Sequence, residues 1–295
     1  MRNVPIEKAR SLINWIRSKL TRKQFLIFSS VLIGVSVGLA SVVLKTFTHI
    51  IFQVATFYNE SNYKFLFFVM PVFGIFLTVL VVQLFLKGKL EKGISSIHHH
   101  IAKDSSLVPR EQMYAQIITS SLTVGFGGSA GLEAPIVVTG AAFGSNYGKT
   151  YSLNYQERTL LLACGVAAGI GAVFNAPIAG VLCAVEVLLL DISISAFAPL
   201  IISSAIGALI SKVILKNDID LSFEYHISFD YHLMPFYILL GLAAGLVSVY
   251  HSHMYLRAEK IINNFSINVY LKALIGGVLL SSLVFVFPSL FGEGF

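Results

Sequence analysis

Long apolar runs alternate with short polar segments along most of this chain. Residues 25–54 are apolar for long enough to cross a bilayer with tilt. The loop TFYNESNYK follows, and residues 65–86 form a second run of the same kind. Beyond it the pattern changes. KGISSIHHHIAKDSS, residues 92–106, is too short and too polar to cross and reads as a re-entrant or interfacial element. Residues 111–124 are apolar but short. They lead into GFGGSAGLEAPIVVTGAAFG, residues 125–144, where a small-residue helix is expected over 136–143. Residues 155–174 and 177–190 are two apolar segments broken at Phe174-Asn175-Ala176-Pro177. Residues 194–215 make a further span, 216–233 a polar loop, and 235–258 and 269–287 two more crossings. Broken helices at membrane depth are tolerated where they line a cavity or lie within protein, and they commonly carry a binding site. The pattern predicts an all-α polytopic membrane protein.

Composition supports that reading. Apolar residues make up 56% of the chain and charged residues 12%, with a mean hydropathy of +0.78, outside the range of soluble proteins. The net charge of +6 collects near the ends of the spans, so it speaks to topology and not to nucleic acid. Residues 1–23 hold Arg2, Lys8, Arg10, Arg17, Lys19, Arg22 and Lys23 against Glu7, interleaved with Leu12, Ile13, Trp15, Ile16 and Leu20. This predicts an amphipathic basic helix on the cytoplasmic face, without the order of a signal peptide. Lys87, Lys89 and Lys92 mark the same side after two crossings. Cys164 and Cys183 lie in apolar segments without metal or redox spacing and read as packing residues.

The candidate chemistry sits at residues 125–144. Gly125, Gly127, Gly128 and Gly131 allow a sharp turn and close approach, and Pro135 suits the first turn of a helix. The helix therefore begins inside the protein, and an uncapped N-terminus attracts anions. Glu133 stands where the anion would sit, as a tethered competitor would. Two plainer readings stay open: close packing by small residues, and a first-turn carboxylate acting as a cap.

His98, His99 and His100 point about 100° apart on a helix and cannot converge on one metal ion. They read as a polar stretch facing the cytoplasm, with a pH-sensing role as the alternative. Ser129 has no histidine paired with it in its element, so no hydrolase arrangement emerges and the chain is not read as an enzyme.

LIGVSVGLASVV from Leu32 aligns without gaps to LLGLAAGLVSVY from Leu239, placing Gly34, Gly38 and Ser41 on Gly241, Gly245 and Ser248. Each copy is followed by an apolar segment and a short glycine-bearing break, KGISS or GEGF. This implies a duplication: a first membrane repeat over 24–215 and the start of a second over 234–295. The second copy has barely begun at Phe295, so the chain reads as the front part of a longer protein, transport-incompetent by itself.

These motifs resemble the CLC family of chloride channels and chloride/proton antiporters. GLEAP, residues 131–135, is similar to the family's G-[KR]-E-G-P signature, and residues 165–186 to its following helix pair. KGISS, residues 92–96, lies where the family has G-S-G-I-P, and GEGF, residues 292–295, resembles the start of G-x-F-x-P. The resemblance implies a homodimer of inverted-repeat bundles of tilted, broken and re-entrant helices, each with its own pore. It implies that Glu133 gates, and that Lys92, Gly93, Ile94, Leu132, Glu133 and Ala134 bind the anion. Lys92 replaces the family's anion-contacting serine, and Ser95 its proline. Lys92 would attract anions, block the pore or turn to the cytoplasmic rim. Family antiporters carry an acidic pair after the F-N-A-P helix; here it reads Glu186-Val187, keeping the first acid and losing the proton-transfer position.

The expected function is chloride permeation, more channel-like than proton-coupled, with chloride as the transported ion and no cofactor. The alternatives are a chloride/proton antiporter with another inner proton route, and a non-transporting membrane sensor on the same scaffold. Lipids, small anions and a second copy are the expected partners, in a bacterial inner membrane.

Overall fold

The computed structural model describes residues 20–57, 64–91, 93–188, 194–215 and 231–292. In chain order it forms α1 (Arg22–Phe57), α2 (Lys64–Phe85), α3 (Gly93–Lys103), α4 (Gln112–Gly125), α5 (Glu133–Thr150), α6 (Tyr155–Phe174), α7 (Pro177–Leu188), α8 (Ile194–Leu215), α9 (Met234–Asn264) and α10 (Val269–Val286). Single 3-10 turns lie at Tyr231–Leu233 and Pro288–Leu290, and no strand occurs among the described residues.

Helix length separates two kinds of element. Among the described residues six helices, α1, α2, α6, α8, α9 and α10, are long and apolar enough to cross a membrane. At 36 residues, α1 makes about 54 Å of helix, more than the hydrocarbon thickness, so it tilts or protrudes. By contrast α3, α4 and α7 have 11, 14 and 12 residues, about 16 to 21 Å against roughly 30 Å of hydrocarbon. These are the short, interrupted elements that the hydropathy pattern marks out.

The bounds of α6 and α8 agree with the sequence pattern; others move. α1 extends past both ends of 25–54, and α9 runs on to Asn264 instead of ending at 258. The glycine-rich helix is 18 residues long, far beyond 136–143. The basic segment up to residue 19, and most of the polar loop, 216–230, lie outside the described residues.

The chain divides into two units, Met1–Ile219 with Ala273–Phe295, and Asp220–Lys272. In the second, α9 carries Pro235 in its first turn, where the missing N–H is harmless, and buries no residue. The first unit is built around α6. From Leu161 to Ala172 every residue of α6 is buried, and it packs against α1, α5, α7 and α8.

Small residues make that density possible. A Cβ built on Gly165 would strike the Gly140 carbonyl oxygen, and one on Gly140 would strike Gly165, so α5 and α6 cross backbone on backbone. Gly38 of α1 would bring its Cβ to 3.2 Å from the Gly207 Cα of α8. Such contacts replace the hydrophobic drive that lipid tails remove.

The break between α6 and α7 has a local cause. Asn175 adopts the left-handed conformation at φ 50° and caps α6 with its N–H on Gly171 O. Pro177, two residues on, cannot continue α6 and starts α7. Ser204 Oγ of α8 lies 2.9 Å from Ala167 O and 2.8 Å from Pro177 O, bracing both sides of the break.

At its other end α6 carries a capping box. Glu157 N donates to Asn154 Oδ1 at 2.8 Å, and Asn154 N to Glu157 Oε2 at 3.3 Å; Glu157 also pairs with Arg22 of α1. Asn154→Ala is expected to cost about 1 kcal/mol, read as a lower unfolding midpoint in detergent. An unchanged midpoint would mean the cap contributes nothing here.

Candidate functional site

Gln112, Gln116, Thr119, Ser120 and Thr123 of α4 fall along one stripe of a 3.6-residue helix. That stripe faces an open cavity of about 310 Å³. Gln116, Thr119, Ser120 and Thr123 of α4 form one wall, with Thr78 of α2 and Val124. Ala130, Gly131, Ala134 and Pro135 close another side, and Leu90 and Gly93 a third. The two glycine-bearing motifs of the sequence, nearly forty residues apart, thus meet at one space. None of these lining side chains is ionisable.

Each wall is held by specific bonds. Thr78 Oγ1 and Thr123 Oγ1 lie 2.9 Å apart, joining α2 to α4. Thr123 Oγ1 also donates to Thr119 O at 3.0 Å. The approach to α3 is clamped from α4: Gln112 Nε2 donates to Lys89 O at 3.1 Å, and Gln116 Nε2 to Glu91 O at 2.8 Å. The segment after α3 is anchored on α5. Val108 N donates to Ser145 Oγ at 2.9 Å, Ser145 Oγ to Ser106 O at 2.6 Å, and Asn146 Nδ2 to Val108 O at 3.0 Å.

Between α4 and α5 the chain turns at Gly127, with φ +91°, a conformation that favours glycine. The Phe291 ring packs directly on Gly127, leaving no room for a side chain. Gly292, the described residue of the GEGF motif, lies next to α4: a Cβ there would stand 3.7 Å from Val124 O. Residues 293–295 are outside the described residues.

The N-terminus of α5 has no side-chain cap. Four N–H groups at a helix start lack intrahelical partners. Pro135 has none to offer, and Ile136 N donates to Leu132 O at 3.2 Å. The N–H groups of Glu133 and Ala134 remain at the positive end of the helix.

Of the anion-binding candidates, Gly93 and Ala134 line the cavity and are brought together. Leu132 is buried at the start of α5, and Ile94 packs against the hydrophobic core; neither is among the lining residues. Glu133 is the first residue of α5, exposed, with its carboxylate folded back against Gly131, which does line the cavity. Lys92 lies outside the described residues. Glu186 is exposed on α7 and is not among the lining residues, and the side chain of Val187 lies outside the described ones.

The histidine run departs from the expected solvated stretch at its last member. His100 is 8% exposed, with Nδ1 2.7 Å from Asp104 Oδ2 and Nε2 3.2 Å from Glu91 Oε1. A carboxylate on each ring nitrogen makes burial tolerable; His99 stays exposed. No group of three or more metal-ligating side chains occurs among the described residues.

Apolar spans, interrupted helices and a cavity where two helix starts converge define an integral, multi-pass membrane protein of the broken-helix type. The family model for voltage-gated chloride channels matches residues 74–295. The chain belongs to that family. It is 28% identical over 229 residues to a ClcB-like protein of Ralstonia nicotianae, covering 76% of this chain and 53% of the relative. Over 101 residues it is 35% identical to the voltage-gated ClC-type chloride channel ClcB of an Escherichia coli strain, covering 34% of this chain and 24% of that protein. The chain spans about half the length of the first of these relatives. Among solved structures, a CLC-type fluoride/proton antiporter superposes with a TM-score of 0.74 at 21% identity, covering 94% of this chain and 68% of its own. A slow cyanobacterial chloride/proton antiporter superposes with a TM-score of 0.76 at 19% identity, covering 94% and 65%. These likenesses establish the CLC-type membrane fold.

The sequence reading missed the α4 stripe and Thr78. The stripe was visible as helical periodicity of Gln, Thr and Ser; Thr78 had no local signal, since its partner is 45 residues away.

Proposed function

We propose that this protein conducts small anions, chloride foremost, through a path that includes the cavity at α3, α4 and α5, with Glu133 as its gate. The observation that carries the reading is the convergence of the starts of α3 and α5 on an uncharged, hydroxyl-bearing space. A dehydrating anion there meets N–H and O–H donors, and none of the described lining side chains is a cation that would trap it. Glu133, tethered at the same helix start, competes with the anion when ionised and yields when protonated or swung away. Lys92, at the approach to α3, takes its expected role from the sequence alone. Family membership supports transport over catalysis, and no cofactor enters the reading.

Channel-like conduction is favoured over proton coupling by the Glu186-Val187 pair. A proton crossing a low-dielectric interior needs titratable groups or water in succession, and Val187 offers none. Glu186 points about 100° away from its neighbour. The family resemblance further supports a homodimer, and the basic residues before the first span favour a cytoplasmic N-terminus, in a bacterial inner membrane.

The test is reconstitution of the full-length protein with chloride and proton fluxes recorded together. A steep inward chloride gradient is expected to carry chloride without driving protons uphill. Uphill proton movement would replace the channel reading with the exchanger, making Glu186 and His98–His100 the inner-relay candidates. Absence of anion flux would overturn both.

A further inference from the structure

The stretch that enters α3 is fixed from two directions. Its backbone is held by α4, through Gln112 and Gln116 on Lys89 O and Glu91 O, with Glu91 N reaching Gln112 Oε1 at 3.4 Å. Its Glu91 side chain turns to His100, in the last turn of α3. The same ring meets Asp104, just beyond that end. The His100 carbonyl oxygen accepts from Asp104 N at 3.1 Å and Ser106 N at 2.8 Å, so backbone and ring fasten the same turn.

The chemistry of the ring makes this arrangement conditional. Both nitrogens face carboxylate oxygens. A neutral imidazole has one N–H and sets its other nitrogen's lone pair against an oxygen; the imidazolium donates twice. Charge-assisted bonds of this kind are the stronger class. Among the described residues the ring's ion-pair partners are these two carboxylates. His99 stands edge-on at 6.1 Å between ring centroids, and Lys103 shares the helix. The helices packed on α3, α5 and α7, carry Glu133, Lys149 and Glu186, none of which pairs with His100. α4 has no charged side chain.

We infer that His100 is a positioning residue: as imidazolium it braces Glu91, and with it the cavity-lining residue Leu90 beside it, against Asp104 across the length of α3. The contact to Asp104 is the shorter, so the neutral ring keeps Asp104 and releases Glu91. The imidazolium makes both bonds and the neutral ring only one, so the brace is lost when the ring gives up its proton. Its bearing on conduction rests on the proposed function; the brace itself does not.

The experiment is hydrogen exchange by mass spectrometry on the full-length protein in nanodiscs, at about pH 5.5 and about pH 9. His100→Gln and Glu91→Gln are each compared with wild type at the same pH, which cancels intrinsic exchange. Both variants are expected to open residues 89–94 about three- to fivefold more than wild type at the acidic pH, and by little at the alkaline one. Glu91→Gln keeps the His100–Asp104 pair and so reports even where His100→Gln folds poorly. An exchange ratio equal at both pH values would overturn the inference, because a purely structural contact has no such dependence. In a second arm, chloride flux is measured in the Glu133→Gln background. A remaining pH dependence that disappears on adding His100→Gln supports the brace. Absence of flux with a pH-dependent exchange ratio would defeat the proposed function and leave the brace standing.

Discussion

Glu133→Gln is expected to raise chloride flux about 5- to 30-fold and to remove most of its pH dependence. The carboxylate is the first residue of an uncapped helix and folds back on Gly131 beside the cavity. Attraction between an anionic group and a helix N-terminus is worth about 1 to 2 kcal/mol in partly buried geometry. An anion entering the site displaces that interaction; glutamine keeps the size and removes the charge. The sign with pH follows. In wild type, acid protonates Glu133 and relieves the competition, so flux rises as pH falls. In the variant there is nothing at this position to protonate. Chloride efflux from liposomes across a pH series measures both effects. A folded variant with unchanged flux and unchanged pH response would remove Glu133 from the mechanism.

Gly165→Ala is expected to destabilise the protein by about 2 to 3 kcal/mol or more. In an ordinary helix interior the same change is favourable by roughly 0.5 to 1 kcal/mol. The reversal comes from the α5–α6 crossing, where the new methyl group would meet the Gly140 carbonyl oxygen, part of a backbone that cannot turn aside. Gly276→Ala on α10 is the control: nothing lies within 4 Å of its Cβ position, so stability should hold or rise. Folded yield and unfolding midpoint of the two variants, side by side, decide the matter. Equal behaviour would show that the seam is looser than its geometry.

How far these features were legible depends on the range of the interaction behind each. The α6–α7 break was readable because Asn175 and Pro177 act on their own backbone. The start of α5 was readable for the same reason, from Gly131, Glu133 and Pro135. Its C-terminal extent was not: residues 144–150 include Ser145, Asn146 and Thr150, poor helix formers that here bond to neighbouring backbone, two of them to the segment after α3. The burial of His100 was hidden similarly. Three consecutive histidines read as polar, and the partner that draws one of them inward, Glu91, precedes the helix and looks like part of a charged cytoplasmic cluster. The cavity joins motifs near 93 and 131 with Thr78. Local pattern marked the first two as special; their convergence is a property of helix packing.

The backbone crossing of α5 on α6 also limits how this protein moves. Where side chains separate two helices, a tilt is absorbed by rotamer changes at small cost. Between Gly140 and Gly165 there are no side-chain torsions to turn, and the dense interior around α6 is nearly incompressible. The cheap degrees of freedom near the cavity are therefore the side-chain torsions of Glu133 itself, which is exposed. On the proposed function, opening and closing at this site fall to one side chain, while the helix that carries it stays still.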